Sequence, residues 1–409
     1  MNRSFEVALN VERAIRMHLL LEEGPFYLYD TEEIRRMCRR FRELLYPGTR
    51  SHFACMANCH PEFLRIIRQE GLNVFVNSLE HLQAVVRCGF TGDQIVFAAS
   101  AMDRRLMRSV RETGAIVILD SLNQVDLWRR ICPDARFGIR CNIGGMVEAK
   151  KTRGGYFIGK ESRLGLIPEE IATLEGNPYV AGLHLYVGTD ICSIPYFKQC
   201  YRALGEFAPR FPMLDFIDFG GGFGLEDEEG EEFDFDGYGE MAAGVMRELC
   251  AKLGRQIRML IEPGRIIGGR AGYFVSRVTD VKFRNGRQLV GVDASSVQFP
   301  RPLFYPDSAH HPVTLLHADR WGNGAAGIPS AAYGCSTYSR DFLARDVMLP
   351  RAEIGDILVL GQAGSYCATA FTHFLGFEQP KEIFDDCQTS ADAPRTPGIL
   401  RRAEVHIPG

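Results

Sequence analysis

No stretch of this 409-residue sequence approaches the ~20 consecutive apolar residues that span a bilayer. The opening segment MNRSFEVALNVERAIRMHLLLEEG carries charges among its apolar residues at helical spacing, so a signal peptide is not expected either. A large excess of one charge sign is also missing. The net charge of −4 gives no reason to expect nucleic acid or an anionic membrane as partner. The twelve cysteines form no C-x-x-C pair and no Cys/His cluster with zinc spacing. "CMANCH" (Cys55 to His60) lacks the second ligand pair a metal site needs, so no metal is expected. Scattered cysteines in a chain this long fit reduced thiols and a cytoplasmic location better than a disulfide framework. The longest acidic run, "LEDEEGEEFDFDGYGE" (Leu225 to Glu240), reads as a solvated loop and helix start rather than a cation site.

The sequence does contain ample core material, with 46% hydrophobic residues, and a regular alternation. From about residue 26 to 265, short apolar runs alternate with amphipathic helical stretches. The runs "SHFACMA", "LNVFVNS", "QIVFAAS", "AIVILDS", "FGIRCNI", "VAGLHLYVG", "MLDFIDFGGG" and "RMLIEPGR" follow an outlying "FYLYD". Strand–helix repetition of this kind predicts parallel strands with helical crossovers, and eight such strands make a (β/α)8 TIM-like barrel. After Arg265 the pattern turns to β. Two β-type runs flank Asn285-Gly286, a hairpin signal, and "ILVLGQAGSY" and "AEVHIPG" are further strand candidates. The expectation is an α/β chain with a barrel over 31–268. A C-terminal all-β domain would take 269–409 and recruit 1–30.

Several motifs carry chemistry. "DFGGGFG" (Asp218 to Gly224) frees backbone N–H groups to face one anion, for which a phosphate is the natural ligand; a tight turn without ligand is the competing reading. "IEPGR" (Ile261 to Arg265) puts Glu262 at the C-terminal end of a barrel strand, where active sites form. Glu262 there either holds a cationic ring nitrogen protonated or simply bonds Arg265. Tyr366, in "GSY", can donate a phenolic hydrogen bond to a phosphate. Asp341, in "SRDFLARD", suits a substrate amine.

Taken together and in this order, these stretches, with "PFYLYD" and "RPLFY" (Arg301 to Tyr305), resemble the fold-type III pyridoxal-phosphate decarboxylases. That family includes the diaminopimelate, ornithine, arginine and carboxynorspermidine decarboxylases. The resemblance runs from about Phe26 to Phe377. It implies a pyridoxal 5'-phosphate site, a small-molecule amino-acid substrate, and a homodimer with shared active sites. It implies that Gly220, Gly221 and Gly222 bind the phosphate, with Gly264, Arg265 and Tyr366 near it, and that Glu262 faces the pyridine nitrogen. Arg140 and Ser78 match pocket residues. Arg301, Tyr305 and Asp341 fall to substrate binding, Asp341 from the partner subunit.

The departures are specific. The family's Schiff-base lysine falls at Met56, in "FACMAN", and a thioether cannot form an imine. The histidine over the cofactor ring falls at Tyr186, with His184 two residues before it and the small hydroxyl kept as Thr189. The family's proton-handling cysteine falls at Thr337, with Cys335 two residues upstream. Met56 is either engineered or natural divergence; Tyr186 and Thr337 weigh against a single engineered block. The expected function is pyridoxal-phosphate-dependent decarboxylation of an amino acid or derivative. The unusual "HLYVGTDICS" and "GCSTYS" point to a specialised biosynthetic pathway. The cofactor would be held noncovalently and turnover impaired by Met56. The alternatives are a non-catalytic decarboxylase-like binding or regulatory protein, and a cofactor-free enzyme that reuses the phosphate pocket.

Overall fold

Strands form wherever the short β-branched and aromatic runs occur in the computed structural model, which describes residues 6–148, 155–227, 230–306, 309, 311–318 and 327–387. The chain divides into two units. One takes the described residues of Met1–Thr31, Gly272–Ala363 and Ala370–Gly409; the other takes those of Glu32–Ala271 and Gly364–Thr369. Residues 364–369, expected in the β domain, thus group with the barrel.

The first strand, β1 (Phe26–Asp30), belongs to the β unit. The next eight form the closed parallel barrel: β2 (Thr49–Ala54), β3 (Asn73–Val76), β4 (Ile95–Ala98), β5 (Ile116–Leu119), β6 (Phe137–Arg140), β7 (Val180–His184), β8 (Phe216–Asp218) and β9 (Arg258–Ile261). Closure comes from β9 pairing with β2, with Thr49 opposite Met259. All eight expected barrel strands are present. Val96, Ile118, Ala181, Phe216 and Leu260 fill the interior as a packed core. Gly182 makes room for the Phe216 ring, since a Cβ there would lie 2.0 Å from Phe216 Cζ.

The crossover helices start where polar side chains can cap them. Ser78 Oγ accepts from His81 N at 3.2 Å to cap the helix Leu79–Arg87. Asp103, Ser121 and Ser193 cap three others in the same way. The acidic run includes one such cap, since Asp234 Oδ1 accepts from Gly237 N at 2.8 Å at the start of Phe235–Leu253. Glu226 and Glu232 pair with Arg270.

The β unit adds β10 (Gly272–Arg284), β11 (Arg287–Val292), β12 (Val313–Leu316), β13 (Ile328–Tyr333), β14 (Phe342–Leu349), β15 (Ile357–Leu360) and β16 (Lys381–Asp385). The sheet runs β12-β15-β10-β11-β13-β14, and β1 pairs with both β10 and β16. Asn285 and Gly286 turn the β10–β11 hairpin, both with positive φ, which is the backbone this tight turn requires. The N-terminal helix Leu9–Leu19 buries Val11, Ile15 and Leu19 against Phe26, Val275 and Val359 of this sheet. The expected strand "AEVHIPG" lies outside the described residues. No helix is long and apolar enough to cross a membrane among the described residues.

Candidate active site

Parallel strands deliver the residues that follow them to one rim, the C-terminal mouth of the barrel. Met56 stands in a turn two residues past β2, and Ser78 two residues past β3. Arg140, His184 and Asp218 are the last residues of β6, β7 and β8. Tyr186 follows β7 by two residues, and Glu262 follows β9 directly.

The glycine turn after β8 is locked against its neighbours. Glu262 N donates to Gly220 O at 2.8 Å, and Ile191 N donates to Gly222 O at 2.8 Å. A Cβ on Gly220 would lie 2.0 Å from Leu185 O, on Gly221 2.2 Å from Glu262 O, and on Gly222 2.6 Å from Gly188 O. Backbone packing therefore requires all three glycines, independently of any ligand. Gly220 N–H already donates to Asp218 Oδ1 at 2.9 Å. The phosphate-facing donors expected of this turn reduce to those of Gly221 and Gly222.

Residues 364–369 return to the same rim. Tyr366, with φ 56°, donates its N–H to Ala57 O at 2.8 Å. Its hydroxyl lies 3.1 Å from where a Cβ on Gly264 would sit. Thr369 Oγ1 donates to Met56 O at 3.4 Å. Met56, Tyr366, Gly264 and the glycine turn thus share one mouth. Tyr186 is half-buried there, its ring edge-on to Phe157 at 4.8 Å and 5.9 Å from the Arg140 guanidinium. Burial pushes its phenol well above the usual tyrosine range, so it is neutral. Arg265 is buried and pairs with Asp190, which neutralises its charge. Thr189 lies beside Asp190 on the same loop. Ser78 keeps its place near the rim but uses its oxygen as a helix cap.

At the mouth, His184, Asp218 and Glu262 form a buried polar cluster in which one ligand atom of each lies within 4.8 Å of the others. His184 Nε2 is 3.2 Å from Glu262 Oε1. Burial pushes the His184 imidazole down to about 4 and lifts Glu262 up to about 8. Asp218 is raised well above the usual carboxylate range, by burial first and the Glu262 charge second. Asp218 received no role from the sequence. Its signal was available: a carboxylate immediately before the glycine turn, at the end of an otherwise apolar strand.

Five residues of this mouth carry buried polar atoms without a hydrogen-bond partner among the described residues: Arg140, His184, Asp218, Glu262 and Arg265. Buried polar groups are normally paired, so such a concentration marks a place built for a polar ligand. A ligand with an anionic end and a cationic ring nitrogen fits this donor set. The Gly221–Gly222 turn and Tyr366 suit the first, and Glu262 suits the second.

The remaining expected residues lie in the β unit. Asp341 is buried and engaged within its own loop. Its carboxylate accepts from Ser296 N at 2.6 Å, Ser295 Oγ at 3.1 Å and Ser336 N at 3.0 Å, and it also bonds the Ser336 hydroxyl. Within this chain these bonds fasten its own loop. Cys335 and Thr337 are exposed on that loop, and burial with the Asp341 charge raises the Cys335 thiol, which disfavours a thiolate. Arg301 is buried against His311 Nε2 at 3.1 Å, and Tyr305 is exposed.

The sequence matches the family described as pyridoxal-dependent decarboxylase, pyridoxal binding domain, over residues 31–269. It is 27% identical to the diaminopimelate decarboxylase of Methanothermobacter thermautotrophicus, covering 88% of this chain and 86% of that one. It is 26% identical to the diaminopimelate decarboxylase of Escherichia coli K12, covering 94% of each. The crystal structure of diaminopimelate decarboxylase from Helicobacter pylori complexed with L-lysine superposes with a TM-score of 0.81 at 19% identity, covering 91% of this chain and 94% of that one. That likeness shows a shared fold. The match over 31–269 spans more than half of the chain and coincides with the barrel whose mouth gathers these groups, and on it the protein belongs to the pyridoxal-dependent decarboxylase family.

Proposed function

We propose that the chain holds pyridoxal phosphate noncovalently at the barrel mouth, and that it descends from enzymes that decarboxylate an amino acid. Its turnover is severely impaired because Met56 stands at the tethering position. The observation that carries this reading is the concentration of unpartnered buried polar atoms at one rim, on Arg140, His184, Asp218, Glu262 and Arg265. When bound, pyridoxal phosphate supplies the electron sink that lets a carboxylate leave as carbon dioxide.

The chain's own residues do the rest. Gly221 and Gly222 N–H groups and the Tyr366 hydroxyl hold the phosphate. Glu262 faces the ring nitrogen and ionises against its positive charge. Tyr186 covers the ring as a neutral phenol, where a histidine would carry charge. Met56 fills the lysine's space with a side chain of similar length that neither forms a covalent link nor moves a proton. The substrate is a small amino acid or derivative, and the altered "HLYVGTDICS" and "GCSTYS" segments favour a specialised biosynthetic pathway. Assembly as a homodimer in the cytoplasm completes the proposal.

Met56→Lys tests it. The variant should attach pyridoxal phosphate covalently, trapped by borohydride as a mass increase on the peptide containing position 56. It should also release carbon dioxide from at least one member of an amino-acid panel on which the unsubstituted chain shows no multiple turnover. Covalent attachment without carbon dioxide from any panel member would favour a binding or regulatory protein. That second reading rests on Tyr186 and the exposed Thr337 standing where catalytic groups are expected.

A further inference from the structure

Asp218 has no task in the reading above, yet it is fully buried at the centre of the mouth and connects two of its parts. Its Oδ1 accepts the Gly220 N–H at 2.9 Å, fastening the first residue of the glycine turn. Its Oδ2 accepts no such bond, and Glu262 Oε1 has only His184 Nε2 near it, at 3.2 Å. One oxygen of each carboxyl lies within 4.8 Å of the other, in the cluster they share with His184. Two carboxylates buried this close cannot both be ionised without a cation between them. The groups around the pair supply none in contact with Asp218. His184, from β7, is held neutral by burial. Arg140, from β6, acts on Glu262, and Asp120 acts on His184. Behind Asp218 stand Tyr201 and Tyr238, two phenols bonded to each other at 3.0 Å.

We propose that Asp218 is a neutral acid that joins the glycine turn to Glu262: Oδ1 accepts from Gly220, Oδ2–H donates to the Glu262 carboxyl, and Glu262 alone ionises toward the ring-nitrogen seat. Asp218 is therefore a positioning residue. It makes the phosphate seat and the ring-nitrogen acid one hydrogen-bonded unit, and it holds Glu262 without adding a second negative charge. A carboxylic acid kept neutral by an apolar surrounding so that it can donate is an established device. The order of ionisation agrees, since Asp218 is raised by the Glu262 charge as well as by burial.

This inference rests on the pyridoxal phosphate reading, and the test separates the two. An amide has the shape of a protonated acid, accepting on one side and donating on the other, so Asp218→Asn should imitate the native state. Binding of pyridoxal phosphate by equilibrium dialysis should stay within about threefold for Asp218→Asn and weaken by about tenfold or more for Asp218→Ala, which loses a charge-assisted bond. A second readout needs no ligand. A native Asp218 that stays protonated destabilises the fold increasingly as pH rises above the ordinary carboxylate range. The folding equilibrium of Asp218→Asn should therefore gain on the unsubstituted chain by about tenfold per pH unit.

A tenfold loss of affinity in Asp218→Asn, or its failure to fold, would overturn the proposal, because either means the residue must ionise. So would a stability difference that does not change with pH, or undiminished binding by Asp218→Ala. Should no form retain pyridoxal phosphate, the functional reading fails, and the ligand-free pH comparison still decides the state of Asp218.

Discussion

At position 56 a thioether occupies a turn whose carbonyl is held by Thr369 and whose neighbour Ala57 is held by Tyr366. These bonds to the backbone hold the turn without using the side chain at position 56. Asp341 shows how a residue can be legible while its surroundings are not. Its acidic character and place in the loop were plain in the sequence, but the loop folds so that two serine hydroxyls and two backbone N–H groups donate to it. Only the fold shows which carboxylate is already engaged. Asp341→Ala should destabilise the β unit by ~3 kcal/mol, because it removes the shared acceptor of several donors at once. A urea denaturation midpoint indistinguishable from that of the unsubstituted chain would refute this structural role.

At the scale of elements, the barrel was readable strand by strand. Each of β2 to β9 is a short apolar run between amphipathic helices, and the helix starts carry Ser or Asp caps. The β unit was less legible. Of its strands, β12 pairs with β15, β13 with β11 and β16 with β1, partners that a local pattern does not identify. The glycine turn was recognised, but its reason was not. The structure shows the three glycines needed by packing against Leu185, Glu262 and Gly188 carbonyls, and a ligand-based argument alone misses this. Gly221→Ala follows directly: its Cβ would meet Glu262 O at 2.2 Å, a backbone atom that cannot swing aside. The variant should separate the β8 and β9 loops and weaken pyridoxal phosphate binding by about tenfold or more. Dialysis showing equal retention would mean that the turn is not part of the binding site.

At the scale of the whole molecule, buried titratable groups set a pH range of stability. His52 and His184 are both pushed down to about 4 by burial. Their folded pKa lies below the ordinary 6.5, so their contribution is present above 6.5 and is lost as pH falls toward 4. Glu262 is pushed the other way, from 4.5 to about 8, and Asp218 is raised with it. The Glu262 contribution is present below the ordinary carboxylate range and is lost as pH rises to about 8, and Asp218 acts in the same direction. The ligand-free chain should therefore be most stable on the mildly acidic side and lose stability from neutrality to about pH 8. Denaturation midpoints across that range check the sign, and a midpoint that rises toward pH 8 would contradict it. A sequence does not display this property. It records that a histidine or a carboxylate exists, while burial at a closed barrel decides its charge.

The most direct test of the account is equilibrium dialysis of pyridoxal 5'-phosphate against the unsubstituted Met56 chain, beside Glu262→Gln. The account predicts saturable retention of about one ligand per chain, with no borohydride-stable adduct, weakened by about tenfold or more when Glu262 can no longer ionise against the ring nitrogen. Absence of saturable retention by the unsubstituted chain, or equal retention by both, would contradict it.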